Sequence, residues 1–415
     1  MATPQERVKF RAVFAVGEFR ALWSAELVST LGDQVARVAL AVLVFRNTGS
    51  TVLTGLTFAL TYLPMLAGGL FLSSLGDRYP RREVMVAANL AQAVLIGAMA
   101  VPGAPLWLLC VLLFFSVLAT GPFNAAQLAL LPDMLTGQRY VTAMSIRNVT
   151  TYSSQLVGFA GGGLLIAVLN PNVGLALDAA TFAASAVLLR VGVQRRPASA
   201  ASEGDDAGDG ARSLLTGFWA IWRDRRTRTL IAIGGLALFY IAPEALAAPY
   251  AAQLKMGTAA VGLLMAADPV GGVVGALVFG RLSESTRLKS VALLGIAAGL
   301  PLAVCALRPP LLLALLLFAM SGTAATIYTI QAMTATARLL PDPVRAQGLG
   351  FGSAIIQSVQ GIGALLAGVL GAAFTPAGGI GAAGALGVLL ALGLAGSWRR
   401  VARPYDELAA QLEKT

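Results

Sequence analysis

The sequence predicts an all-α membrane protein whose twelve transmembrane helices form two pseudo-symmetric six-helix bundles. Three observations predict it. The 415 residues are 57% hydrophobic and only 12% charged, with a mean hydropathy of +0.76, far too apolar for a soluble globule of average makeup. Apolar runs of about 20 residues, the length that crosses a hydrocarbon core at 1.5 Å per residue, recur along nearly the whole chain. Two loop motifs recur at nearly one offset, the mark of a duplicated unit.

Twelve apolar runs fall at 19–45, 51–75, 84–101, 105–128, 141–169, 172–192, 229–252, 258–281, 289–307, 311–337, 346–373 and 377–398. The third, fourth, ninth and tenth can be divided differently around Pro102, Pro105, Pro309 and Pro310. The duplication shows in the loops. "SSLGDRYPRR" at 73–82 aligns with "GRLSESTRLK" at 280–289, placing Leu75 on Leu282 and Asp77 on Glu284, 207 positions apart. "LLPD" at 130–133 returns at 339–342, 209 positions apart. The first pair lies between spans two and three and between eight and nine; the second lies between four and five and between ten and eleven. Six spans per half give a first bundle over 1–192 and a linker over 193–212. An interfacial helix and the second bundle follow over 213–415.

The linker, "VQRRPASAASEGDDAGDGARS", is rich in Ala, Ser, Gly and Asp and has no apolar period, so it reads as flexible. Directly after it, Leu214, Phe218 and Trp222 recur every fourth residue with Leu215 and Trp219 beside them. That spacing predicts a short amphipathic helix lying at the membrane surface.

A net charge of +10 could suggest a nucleic-acid partner, so the location of the cations decides. With both termini in the cytoplasm, the basic residues of the N-terminus, the 78–82 loop, the linker, the 281–289 loop and the C-terminus all lie inside. Only Arg46, Lys255 and Arg308 fall outside. This is the positive-inside pattern of a bacterial cytoplasmic-membrane protein, and it explains the charge without nucleic acid. No apolar segment with a small-residue cleavage site precedes the first span, so no cleavable signal peptide is expected. Cys110 and Cys305 read as buried free thiols. The chain has no histidine, no nucleophile beside a base, no phosphate loop and no metal-ligand constellation, which argues against an enzyme, an ATP-driven pump, a bound metal or a cofactor.

The loop between spans two and three packs Asp77, Arg78, Arg81, Arg82 and Glu83 together after an uncharged run from Asn47 to Gly76. With twelve spans in two related halves and a polar linker, it resembles the loop motif of the major facilitator superfamily of secondary transporters. Ser73 and Pro80 stand where that motif usually has glycine, and the second copy is looser, with Glu284, Arg287 and Lys289. "FRALWSAELVSTLGDQV", "TGS" at 48–50, "ALLPDML" at 129–135 and "LDAATF" at 177–182 are similar to the bacterial drug:proton antiporter branch that includes macrolide and enterobactin exporters. "SQLVGFAGGG" at 154–163 resembles the antiporter pattern of span five, with Phe159 in place of its proline. Gly158, Gly161, Gly162 and Gly163 are then expected to supply close helix packing, as small residues do in membranes.

The resemblance implies alternating access. It also implies a conformational latch in which Asp77, oriented by Arg78, Arg81 and Arg82, meets the start of span eleven near Gly348, with Glu284 as the second-half counterpart. Partial positive charge at a helix N-terminus suits such a contact.

Ionisable side chains at bilayer depth are costly and mark function by default. Glu26, Asp33 and Arg37 in span one are spaced seven and four apart and share one helical face. Arg147 lies in span five, Glu244 follows Pro243 in span seven, and Asp268 precedes Pro269 in span eight. Asp178 reads as interfacial. By the 207-residue offset Glu244 maps onto Arg37, so the two are expected to face each other across a cavity, although a structural Asp33–Arg37 pair one turn apart accounts for the same spacing. With no histidine, carboxylates must carry any coupling proton. The arginine that proton-coupled members often carry in span four is absent, so either Arg37 or Arg147 stands in or the coupling differs.

Together these expectations describe proton-coupled efflux of a hydrophobic or amphipathic drug or natural product, with a cationic group allowed by the carboxylates. A monomer embedded in membrane lipid is the expected unit. A proton-coupled importer of a small nutrient and a non-transporting receptor on the same fold are the alternatives.

Overall fold

The structure is a computed structural model that describes residues 10–71, 78–196, 208–282 and 284–412. Among these residues there is no strand. Eleven helical stretches are long and apolar enough to cross a membrane, and a broken helix supplies the second span.

Two compact units divide the chain. The first comprises Met1–Ala39 and Pro64–Gly210. It holds α1 (Phe10–Phe14), most of α2 (Gly17–Thr48), α4 (Leu63–Phe71), α5 (Arg81–Met99), α6 (Leu106–Met134), α7 (Gln138–Val168) and α8 (Pro171–Gly192). The second comprises Leu40–Leu63 and Ala211–Thr415. It holds the end of α2, α3 (Thr51–Ala59), α9 (Gly208–Arg223) and a seventh span in four pieces: α10 (Arg225–Gly234), α11 (Ala237–Tyr240), α12 (Ala242–Ala245) and α13 (Ala247–Gln253). After these come α14 (Thr258–Arg281), α15 (Glu284–Val304), α16 (Leu311–Leu339), α17 (Asp342–Ala373) and α18 (Pro376–Leu412).

Local chemistry sets the boundaries. Ser50 accepts a hydrogen bond from the Leu53 amide and starts α3, right after Gly49 at φ +62°. Asn170 caps α8 ahead of Pro171 at its first position. Asp224 accepts from the amides of Arg226 and Thr227 and starts α10. The second span breaks at residues 60–62, just before Pro64, whose ring clashes with a helical carbonyl four residues back. Pro243 and Pro249 sit in the first turns of α12 and α13 and interrupt the seventh span in the same way. Pro122, Pro269 and Pro301, by contrast, lie inside continuous helices.

The duplication is visible in the pairing. In the first unit α5 packs on α6 and α8; in the second α15 packs on α16 and α18. Spans three, four and six are thus repeated by nine, ten and twelve. Lipid offers little hydrophobic drive for helix association, so small residues that let backbones approach carry the packing. A Cβ on Gly384 would lie 2.6 Å from the Ala303 amide nitrogen, and one on Gly275 would lie 2.5 Å from the Thr323 carbonyl oxygen. Within the second unit α3 lies against α17. A Cβ on Gly55 would meet the Ala364 carbonyl oxygen at 2.6 Å, and the Thr51 hydroxyl donates to the Gly368 carbonyl at 2.9 Å.

The apolar core of the first unit gathers at one end, where Val13, Phe19, Leu22, Met85, Leu130, Leu131, Leu135 and Leu189 are buried together. Cys110 and Cys305 form no disulfide; the first is half-buried and the second buried.

Candidate functional site

The first unit brings two expected charges and one unexpected amide together. Arg147 on α7 donates from Nε to both Glu26 carboxylate oxygens, at 3.0 and 2.9 Å, and from Nη2 to Glu26 Oε1 and Gln127 Oε1, each at 2.8 Å. Gln127 on α6 donates back to Glu26 Oε2 at 3.0 Å. Three helices are thereby tied by one closed network, the forked geometry that suits a guanidinium to a carboxylate. The Arg147 and Glu26 side chains are only 15% and 13% exposed, so the charges are held away from solvent yet paired. Beside them Trp23 donates to the Thr150 hydroxyl at 2.8 Å.

About two to three turns further along α2 a second group forms around Asp178. Asp178 is fully buried within the protein, in the second turn of α8 after its capped start. The Thr181 hydroxyl donates to Asp178 Oδ1 at 3.2 Å, while Oδ2 is buried without a hydrogen-bond partner. Asp33 and Arg37 on α2 are the charged groups that act on it. Gly32 makes the approach feasible, since a Cβ there would collide with Asp178 Oδ1 and Thr181 Oγ1. Asp33 and Arg37 are themselves half-buried, one helical turn apart.

The span-five glycines differ from one another. A Cβ on Gly158 would come 2.5 Å from Gln34 Cβ, and one on Gly162 would come 3.1 Å from Val35 Cα, so both seat α7 on α2. Gly163 is buried. Gly161 is exposed with open space around it, and so it packs against nothing. Three residues on from Gly158 it is turned by only about 60° the short way round, which is enough to carry it past the edge of the contact with α2.

In the second unit Glu244 is half-buried in α12, between the two proline-bearing breaks. Asp268 lies in α14 against α16, where a Cβ on Gly322 would be 2.7 Å from its Oδ1. Tyr240 and Tyr328 are buried nearby with ring centroids 6.3 Å apart, and Tyr240 donates to the Gly295 carbonyl at 2.6 Å. The expected pairing of Glu244 with Arg37 spans the two units and is not described by either.

Of the loop residues, Asp77 lies outside the described residues, and Glu284 starts α15 with its side chain outside them. Arg78 is exposed. Arg81 donates to the Ala129 carbonyl at 2.8 Å and to Asp133 at 2.6 Å, joining α5 to the end of α6. Arg82 donates to Glu83 at 2.8 Å and to the Val193 carbonyl at 3.3 Å, and Glu83 accepts from Arg190 at 2.8 Å. These arginines therefore bind spans three, four and six at one end of the first unit.

Sequence reasoning missed Gln127 and did not foresee the burial of Asp178. No charge marks Gln127, and its partnership depends on which face of α6 meets α2 and α7. Asp178 did carry a signal: the Asn170–Pro171 start sets it about 10 Å into the helix at 1.5 Å per residue.

Repeated bundles with broken spans and ionisable side chains held inside them are the makeup of a membrane transporter. The family model for the Major Facilitator Superfamily matches residues 22–248 and 245–415. The chain belongs to that superfamily and is a multi-pass membrane protein. Among curated relatives, the enterobactin exporter EntS of Shigella boydii serotype 4 (strain Sb227) is 29% identical over 389 residues, covering 90% of this chain and 91% of that protein. EntS of Escherichia coli O1:K1 / APEC matches with the same identity and coverage. The fold is shared with solved structures of low identity. A bacterial homolog of the human lysosomal transporter Spinster, inward-facing and unoccupied, has a TM-score of 0.72 at 13% identity, with 93% of this chain and 97% of that chain covered. The nucleoside transporter NupG has a TM-score of 0.69 at 13% identity, covering 91% and 99%.

Proposed function

We propose that the chain exports a hydrophobic or amphipathic small molecule across the bacterial cytoplasmic membrane by proton-coupled alternating access, with both termini in the cytoplasm. The observation that carries the proposal is the Asp33, Arg37 and Asp178 group, which leaves one buried carboxylate oxygen without a donor. A proton or a cationic group of the substrate would satisfy that oxygen, and the two would then compete for one place. The relatives named as enterobactin exporters support export and a natural-product class of cargo. Positive residues concentrated in the loops on one side support the orientation. Glu244 and Asp268 supply carboxylates in the second half for the same exchange, and the Glu26–Arg147–Gln127 network keeps the first bundle rigid while the halves rock.

Inverted vesicles with an imposed proton gradient test the proposal. A panel of lipophilic drugs and natural products should include compounds that accumulate only while the gradient stands and leak back when an uncoupler collapses it. Gradient-independent accumulation of every transported compound would refute proton coupling; uptake into right-side-out cells in place of inverted vesicles would refute export.

A further inference from the structure

The helix α9 has two unlike faces. On one, Gly217 is buried so closely on α17 that an added Cβ would stand 2.8 Å from Phe351 Cβ and 2.9 Å from the Gln347 carbonyl carbon. Phe218 meets the Phe351 ring edge-on at 5.8 Å, and Ile221 is 2% exposed beside them. On the other face Leu215, Trp219 and Trp222 are 57%, 53% and 52% exposed, an apolar stripe at helical spacing. Exposed Arg223, Arg225 and Arg228 follow directly. The Arg228 guanidinium stands 5.4 Å from the centre of the Trp222 ring, which places a cation at the edge of the stripe. The nearest acid in sequence, Asp224, is engaged as the cap of α10. Three exposed arginines therefore stand beside the apolar stripe against this one neighbouring acid.

We propose that this face binds anionic phospholipid of the adjoining leaflet, with Leu215, Trp219 and Trp222 at the acyl boundary and Arg223, Arg225 and Arg228 on the headgroup phosphates, and that the bound lipid steadies the start of α17. The assignment rests on charge complementarity. Exposed tryptophan and leucine beside arginine is the makeup of a helix lying in an anionic interface. The tight seat of Gly217 and Phe218 on residues 347 and 351 transmits any shift of α9 to the end of a spanning helix. The lipid class rests on the cytoplasmic placement of this side proposed above; the contact with α17 does not.

Lipid-resolved quenching of tryptophan emission tests the site without any transport substrate. The full chain carrying Trp23→Phe, Trp107→Phe and Trp398→Phe emits only from Trp219 and Trp222. In phosphatidylcholine bilayers, brominated phosphatidylglycerol should quench that emission several-fold more than an equal mole fraction of brominated phosphatidylcholine. The triple change Arg223→Gln, Arg225→Gln and Arg228→Gln should remove the excess. If the tryptophan-depleted chain does not fold, the difference between wild type and Trp219→Phe/Trp222→Phe reads the same signal. Equal quenching by the two lipids would overturn the anionic preference, and no quenching by either would overturn membrane docking. Hydrogen exchange over residues 342–352 should slow when phosphatidylglycerol is present; unchanged exchange would overturn the link to α17. A protein that transports nothing in vesicles yet shows the quenching difference would keep this site and lose the export proposal.

Discussion

Arg147 gives the clearest case of a charge that the fold has to satisfy. It is largely buried and spends its donors on Glu26 and Gln127, so Arg147→Ala would strand a buried carboxylate. Removing one partner of such a pair typically costs about 3–5 kcal/mol, and we expect a clear fall in the thermal unfolding midpoint in detergent. Arg147→Lys keeps the charge but not the fork and should fall between the two. Gly32→Val would drive two methyls into Asp178 and Thr181; transport should drop sharply even where the protein still reaches the membrane, and wild-type rates would mean that the Asp178 group is idle. At this scale the ionisable residues of the spans were legible because each stood out against an apolar run. Gln127 and the burial of Asp178 were not, since a neutral amide has no such contrast and burial depends on which helix face meets a neighbour.

Helix packing differs in kind from the charge networks, because it is carried by the absence of side chains. Gly368 lies where a Cβ would press on the Thr51 carbonyl oxygen at 2.7 Å, so Gly368→Leu should force α3 from α17 and lower the unfolding midpoint. Gly158 and Gly161 offer a matched contrast on one helix. Gly158→Leu should be strongly destabilising, while Gly161→Ala should stay within about 0.5 kcal/mol of wild type, as surface substitutions usually do; similar losses at both would contradict the one-sided seat of α7 on α2. The spans themselves were readable from apolar length, but which prolines break a span was not, since Pro64, Pro243 and Pro249 stand at breaks while Pro122 and Pro269 lie inside continuous helices. Which glycine faces a neighbour was not readable, because a run such as Gly161, Gly162 and Gly163 has the same residue on faces that meet a helix and faces that do not.

For the whole molecule, the repeat was legible twice over, in the two loop motifs and in the six spans of each half, and the pairing of α5 with α6 and α8 returns in α15 with α16 and α18. Function was less legible, since one fold serves many cargoes. The latch remains a proposal at this scale: Asp77→Asn should slow transport by loosening one end state, and an unchanged rate would count against it. The coupling itself is tested most directly by proton movement. In proteoliposomes loaded with a pH-sensitive dye, adding a transported compound should drive protons across the membrane in wild type, and that signal should vanish in Asp33→Asn while the compound still binds. Undiminished substrate-driven proton flux in Asp33→Asn would contradict the role given to the Asp33, Arg37 and Asp178 group.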